Sequence, residues 1–367
     1  MTGSVPSALK AALITPMKSP DAPTPSGDRT FGRLIRAALT ASGHQVTLPP
    51  QFTTWCRRGA DFEGVARAAP DAISAAVRAL EADPPDVILT YHNYHKAPDL
   101  LGPALARQFG AAYAIIEASR SPKRAQGEWA RGFEAADRAL QAAAAWGAVT
   151  PRDLPELMAF CPHKVIETPP FIDAGAFSAP HKGSAGGTRV VSAAMMREGR
   201  KADSVRLLCK AFDLVRQEVP GATLEIAGGG PALSQLKAAH PHASFLGQLG
   251  RAELASLFAS SDVFAWPALH EPFGFVFLEA QSAGLPVVGG DTPGVHAVVR
   301  DGETGFLAAH GDAKALAARI VQLMTDSALR QTMGMAARRF ARANDLEKGA
   351  ARLSALMAKA FLQVPAG

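Results

Sequence analysis

Short apolar runs alternate with stretches of helical periodicity along almost the whole chain. No other feature restricts the fold as much. In the first half, Ala8–Thr15, Val46–Leu48, Asp86–Tyr91 and Ala112–Ile116 read as strands. Between them Phe31, Leu34, Ile35, Ala38 and Leu39 recur on one helical face, and residues 64–82, 99–109 and 127–145 read as further helices. In the second half, Thr188–Ala193, Thr223–Ala227, Ser244–Gly247, Asp262–Trp266 and Pro286–Gly289 read as strands, and residues 203–219, 251–260 and 275–283 as helices. Strand and helix in alternation predict an α/β fold of parallel, doubly wound sheets.

The chain has 367 residues, enough for two domains. Thr168-Pro-Pro-Phe-Ile-Asp173 reads as a stiff linker. The expected division is residues 1–172, residues 173–343, and a closing helix over 344–367 whose face of Ala350, Leu353, Leu356, Met357 and Phe361 suits docking.

Composition excludes several classes. Hydrophobic residues make up 48% and charged residues 19%, which describes a globular chain. The net charge of +5 is spread without a basic run, so a nucleic-acid partner is not expected, and anionic ligands are favoured. Cys56, Cys161 and Cys209 are sparse and unpaired in spacing, which suits a reducing compartment. No apolar run reaches the ~18 residues of a spanning helix. A cytoplasmic protein is expected, with peripheral contact at the inner membrane face left open.

Ligands of doubly wound sheets bind beyond the carboxyl ends of the strands. The richest such end is Trp266-Pro-Ala-Leu-His-Glu-Pro-Phe-Gly-Phe-Val-Phe-Leu-Glu279. Glu271 precedes the helix and Glu279 lies about one turn inside it. Amides near Phe273, Gly274, Phe275 and Val276 suit an anion, and the two carboxylates can accept from hydroxyls. A ligand with both phosphate and hydroxyl groups fits. His270 either touches that ligand or packs beside Trp266. After the strand ending at Ala193, Arg197 and Lys201 can converge on a diphosphate, with Arg200 competing for the role of Arg197. The alternative is a solvated basic loop.

In the first half, Gly27 and Asp28 open a helix, where Gly27 allows close backbone approach to a ligand and Asp28 is either a cap or a ligand contact. His92, His95 and Glu117 fall at strand ends. His92 and His95 lack a third ligand of suitable spacing, so no metal site is expected. Glu117 either orients a hydroxyl, acting as a weak base, or pairs with Arg120 or Lys123.

Glu271-Pro-Phe-Gly…Glu279, followed by Ala-Gly-Leu-Pro-Val-Val and then Asp301-Gly-Glu-Thr-Gly-Phe-Leu307, resembles the signature of retaining glycosyltransferases of family 4. The resemblance is carried by residues 186–310 and is only topological before them. It implies the GT-B fold, two Rossmann-like domains facing a cleft, with the last helix returning to the first domain. It also implies transfer of a hexose from a nucleotide-sugar to a glycan, lipid or small-molecule acceptor, with retention at the anomeric carbon. No metal and no cofactor beyond the nucleotide-sugar substrate are implied. Glu279 would take the ribose hydroxyls and Glu271 the sugar hydroxyls, while Arg197 and Lys201 would stabilise the leaving phosphate. Leu246 would lie along the base. The family has His where this chain has Glu117. Rival readings are a nucleotide-sugar epimerase or phosphorylase on the same plan, or a non-catalytic nucleotide-sugar binder.

Overall fold

A computed structural model describes residues 5–24, 26–184, 186–269 and 271–363. The chain divides into two compact units, Met1–Pro169 with Leu346–Gly367, and Pro170–Asp345. The expected boundaries fall after residues 172 and 343.

The first unit is built on six parallel strands: β1 (Lys10–Ile14), β2 (Gln45–Thr47), β3 (Val87–Asn93), β4 (Ala112–Ala118), β5 (Ala145–Ala148) and β6 (Val165–Glu167), in the order β2-β1-β3-β4-β5-β6. Helices α1 (Gly27–Ala41), α2 (Phe62–Leu80), α3 (Gly102–Phe109), α4 (Ala130–Ala142) and α5 (Leu154–Phe160) connect them. Every residue of β3 is buried, as a central strand covered on both faces requires. The order reverses direction at β1, between β2 and β3, which places a topological switch point beside the start of α1. Asp99 ties the sheet to α3. One of its oxygens accepts from the amides of Leu101 and Gly102, and the other from Thr90 Oγ1 and Tyr113 Oη, both at 2.5 Å.

The second unit repeats the plan with β7 (Arg189–Ala193), β8 (Thr223–Ala227), β9 (Ala243–Gly247), β10 (Val263–Trp266), β11 (Val287–Gly290) and β12 (Gly305–Ala308), in the order β12-β11-β10-β7-β8-β9. Its helices are α6 (Arg200–Glu218), α7 (Leu233–Ala239), α8 (Arg251–Ala259), α9 (Phe275–Ser282), α10 (Ala313–Thr325) and α11 (Ser327–Ala343). Asp312 caps α10 through the amides of Lys314 and Ala315.

The last helix, α12 (Leu346–Phe361), belongs to the first unit, where it packs on α1 and on β3, β4 and β5. Leu353, Leu356 and Met357 are buried there. His44 adds a polar tie, its Nδ1 accepting from the Leu9 amide at 3.1 Å and its Nε2 lying 2.8 Å from Ser354 Oγ.

One expectation needs correction. The helix expected over residues 127–145 ends at Ala142, and Ala145-Trp-Gly-Ala148 is the strand β5. The alanine run favours helix locally, but Trp146 fills a buried place between sheet and helix, donating from Nε1 to the Leu140 carbonyl. Strand β6, with only three residues, has no apolar run long enough to announce it.

Candidate active site

In the second unit, the site is set by how three loops press together. The loop after β7 lies against the glycines after β8. Met196 donates its amide to the Gly229 carbonyl at 2.9 Å and accepts from the Ala232 amide at 3.0 Å. A Cβ on Gly228 would stand 1.8 Å from the Ala194 carbonyl oxygen, and one on Gly230 2.4 Å from that of Met196. The glycines therefore admit the neighbouring backbone, which fixes where the basic residues emerge. Arg197 and Arg200 emerge into solvent, while Lys201, in the first turn of α6, is only partly exposed.

Lys201 forms an ion pair with Glu271. Its ammonium also lies 5.6 Å from the centre of the Trp266 ring, and Trp266 Nε1 is 3.4 Å from the same Glu271 oxygen. The loop holding Glu271 is strained. Ala268 has φ of 51°, a region that non-glycine residues rarely enter. It is also hemmed in from behind: a Cβ on Gly294 would stand 1.7 Å from the Pro272 carbonyl oxygen.

Helix α9 begins after Gly274, whose φ of 76° turns the chain sharply into the helix. Phe277 is fully buried and meets Phe264 edge-on at 5.5 Å. Gln281 Nε2 donates to the carbonyls of Phe277 and Val298. These contacts lock the inner side of α9. Glu279 projects from the helix with no hydrogen bond or ion pair among the described residues. Burial pushes its carboxyl up to about 7, and the charge of Arg251 offsets this only in part. Phe273 is buried, and its ring meets that of Phe275 edge-on at 4.8 Å. Leu246 is 38% exposed on the edge strand β9, an apolar side chain left for something to cover. His270 lies outside the described residues.

The first unit has its own cluster. Asp28, His92 and Glu117 come together at the start of α1 and the ends of β3 and β4, with His92 Nε2 3.3 Å from Asp28 Oδ1 and Nδ1 3.4 Å from Glu117 Oε2. Both His92 and Glu117 have positive φ, 72° and 54°. Burial raises Glu117 to about 7, with the charge of His92 working against it and that of Asp28 with it. Burial also opposes charge on His92, but Glu117 and Asp28 outweigh it and its pKa is raised. For Asp28, burial again works upward and the hydrogen bond and charge of His92 prevail, so its pKa is lowered.

Several expectations change here. Asp28 is not the helix cap, since Ser26 Oγ accepts from the Arg29 amide at 3.2 Å. Glu117 is not paired with Arg120, which binds Asp137 at 2.6 Å and stacks on Phe160. His95 does not join the cluster. Its ring packs edge-on against Trp129 at 5.4 Å, and burial with the charges of Arg124, Lys96 and Lys123 lowers it to about 4. Gly27 stands in the open, where a Cβ would meet nothing within 4 Å. Tyr91 and Trp266 are not legible as site residues in the sequence, because a strand aromatic reads as core until its neighbours are known.

Residues 187–326 match the family Glycosyl transferases group 1. The GDP-mannose-dependent alpha-(1-6)-phosphatidylinositol monomannoside mannosyltransferase of Mycobacterium tuberculosis is 35% identical over 144 residues, 36% of this chain and 37% of that protein. The N-acetyl-alpha-D-glucosaminyl L-malate synthase of Bacillus anthracis is 34% identical over 145 residues, 38% of this chain and 37% of that one. The matched stretch thus spans little more than a third of these relatives. In fold, the likeness runs nearly end to end. Sucrose-phosphate synthase from Thermosynechococcus elongatus superposes with a TM-score of 0.70 at 20% identity, over 95% of this chain and 98% of that one. HepE from Anabaena, solved with UDP and glucose, gives 0.65 at 17%, over 94% and 98%. Two parallel α/β units of six strands each are the GT-B architecture.

Proposed function

We propose that this chain, whose residues 187–326 form a Glycosyl transferases group 1 domain, moves a hexose from a nucleotide-sugar to an acceptor hydroxyl. The observation that carries the reading is the Lys201–Glu271 ion pair, whose Glu271 lies on the same strand–loop–helix that leaves Glu279 without a partner among the described residues.

Each residue then has a distinct task. Glu279 takes the ribose hydroxyls. Its raised pKa means that bound hydroxyls, by donating to the ionised form, replace the solvation it has lost. Lys201 turns part of its charge from Glu271 to the leaving diphosphate, and Arg197 adds a second cation. Glu271, relieved of some of that pairing, accepts from hydroxyls of the transferred sugar. The first turn of α9, at Phe275 and Val276, faces its dipole toward the phosphates. The two cations serve the role a metal would otherwise fill. Leu246 lies along the base.

Retention at the anomeric carbon follows from the motif resemblance. The acceptor is a glycan, a lipid headgroup or a small molecule, and the donor nucleotide is of the UDP or GDP type found with or named for the similar proteins. Among the described residues no helix is long and apolar enough to cross a membrane. We place the chain in the cytoplasm, with contact at the inner membrane face compatible with a lipid acceptor.

The test is a thermal-shift screen of UDP, GDP, ADP and their sugar conjugates, followed by calorimetry on Glu279→Ala. Native-state binding raises the midpoint. One nucleotide-sugar should stand out, and the variant should bind it about tenfold or more weakly, since hydrogen bonds to a charged group contribute about 1.5–3 kcal/mol. Unchanged affinity would remove Glu279 from the site.

A further inference from the structure

Three loops leave the carboxyl ends of β2, β3 and β4 and are stitched into one surface at that rim of the first unit. The Cys56 amide, before α2, donates to the Lys96 carbonyl, after β3, at 2.7 Å. The Gly59 amide donates to Glu128 Oε1, in the loop between β4 and α4, at 2.8 Å. A Cβ on Gly59 would stand 1.9 Å from the Glu128 carbonyl oxygen, so these two loops lie directly against each other. Trp129 closes the seam from inside, packed with Cys56 and Phe62, and the Lys96 ammonium lies 4.8 Å from the centre of its ring.

On this base stand groups for which the donor reading has no use. Trp55 is 43% exposed, while Trp129, Trp146 and Trp266 are all buried. Its indole N–H is turned to Tyr94, so the side chain offers solvent an apolar ring. Arg57, Lys123 and Arg124 are exposed, and none of their side chains has a hydrogen bond or ion pair among the described residues. Asp61 is paired with Arg58, and Glu128 is turned to the Gly59 amide, so neither offsets these three charges. Burial, and then the charges of Arg124, Lys96 and Lys123, hold the neighbouring His95 down at about 4, which marks the positive field of the rim.

Ring and charge together select the partner. A small anion would meet the cations but has no need of an exposed indole. An anionic lipid surface takes both. Each cation beside it strengthens binding about fivefold, and tryptophan settles at the level of the headgroups. One such signal alone holds a protein only marginally, and two together anchor it.

We propose that Trp55, Arg57, Lys123 and Arg124 form a docking surface for an anionic lipid bilayer, with the Trp55 ring entering the headgroup layer. This deepens the proposed function by giving membrane contact a place on the chain. It rests on that reading only for its purpose, an acceptor presented by lipid.

The test is co-sedimentation of the protein, without nucleotide, with vesicles of phosphatidylcholine alone and of phosphatidylcholine and phosphatidylglycerol in equal parts. The protein should bind the mixed vesicles and leave the neutral ones. The combined variant Arg57→Gln, Lys123→Gln, Arg124→Gln should bind the mixed vesicles about a hundredfold more weakly, at about fivefold for each cation removed, with an unchanged melting midpoint. Because Trp55 is the one exposed tryptophan, intrinsic emission reports its surroundings. It should shift to the blue on mixed vesicles and be quenched by lipid brominated in the acyl chain. Trp55→Ala should abolish both changes and weaken binding.

Equal binding to neutral vesicles, binding that survives loss of the three cations, or mixed-vesicle binding with no change in emission would overturn the proposal. So would a protein that ignores vesicles and is held on heparin by the same three cations, since the surface would then be a polyanion site. A chain that binds mixed vesicles but no nucleotide keeps the docking surface and fails the donor reading alone. One that binds a nucleotide-sugar and no vesicle fails the docking surface alone.

Discussion

Lys201 and Glu271 stand 70 residues apart in the sequence and form one ion pair beside the Trp266 ring. The pair stores a positive charge next to the place proposed for a diphosphate while keeping it neutralised in the free protein. An unpaired ammonium held partly away from water would be costly, and its pairing with Glu271 offsets that cost.

Lys201→Ala is therefore expected to act on turnover more than on folding. Removing one charge that faces the leaving group should lower kcat by about 10²–10³. The melting midpoint should move by only a few degrees, since the pair is partly exposed and such pairs contribute about 1 kcal/mol or less. Steady-state kinetics beside a thermal melt would separate the two. A variant with full kcat would take Lys201 out of the chemistry.

Glu279 gives a pH signature. Its folded pKa, about 7, lies above the ordinary carboxyl value of 4.5. Between those values the folded chain binds more protons than the unfolded one, so its contribution is fully present below about pH 4.5 and is lost as pH rises through 7. Glu279→Gln removes that dependence. The melting midpoint of the variant relative to the parent should climb between pH 5 and pH 8, measured without ligand. A flat difference across that range would mean the carboxyl is well solvated.

Two glycines should respond in opposite ways. A methyl at Gly294 must displace the Pro272 backbone and, with it, the Glu271 loop. Gly294→Ala should cost about 1–3 kcal/mol and weaken nucleotide-sugar binding. At Gly27 nothing stands in the way. Gly27→Ala should stay within about 0.5 kcal/mol of the parent. Denaturant melts of both, with calorimetry on the first, check the contrast.

Leu356 tests how the chain's end serves its first half. It is fully buried on α12. Leu356→Ala should destabilise the first unit by about 2–5 kcal/mol, the range for a large apolar side chain cut from a packed core. If the two units unfold separately, a calorimetric scan should show one transition lowered and the other in place. A scan with both unmoved would mean α12 contributes little.

The sequence by itself determined the alternation of strand and helix, and with it two parallel sheets. Buried parallel strands need apolar runs and the connecting helices need an apolar face, and both patterns are local. It also determined the donor-side motif, because Glu271, Gly274 and Glu279 lie within nine consecutive positions on one strand–loop–helix. Tertiary structure alone decided the rest. Only packing brought Lys201 to Glu271, pressed Gly294 behind Pro272, and set Asp28, His92 and Glu117 around one point while sending His95 to Trp129. It also decided that Ala145–Ala148 is a strand and that Asp28 is no cap. Those outcomes depend on contacts between residues distant along the chain, and on left-handed backbone angles at Ala268 and Glu117 that no local preference of those residue types favours.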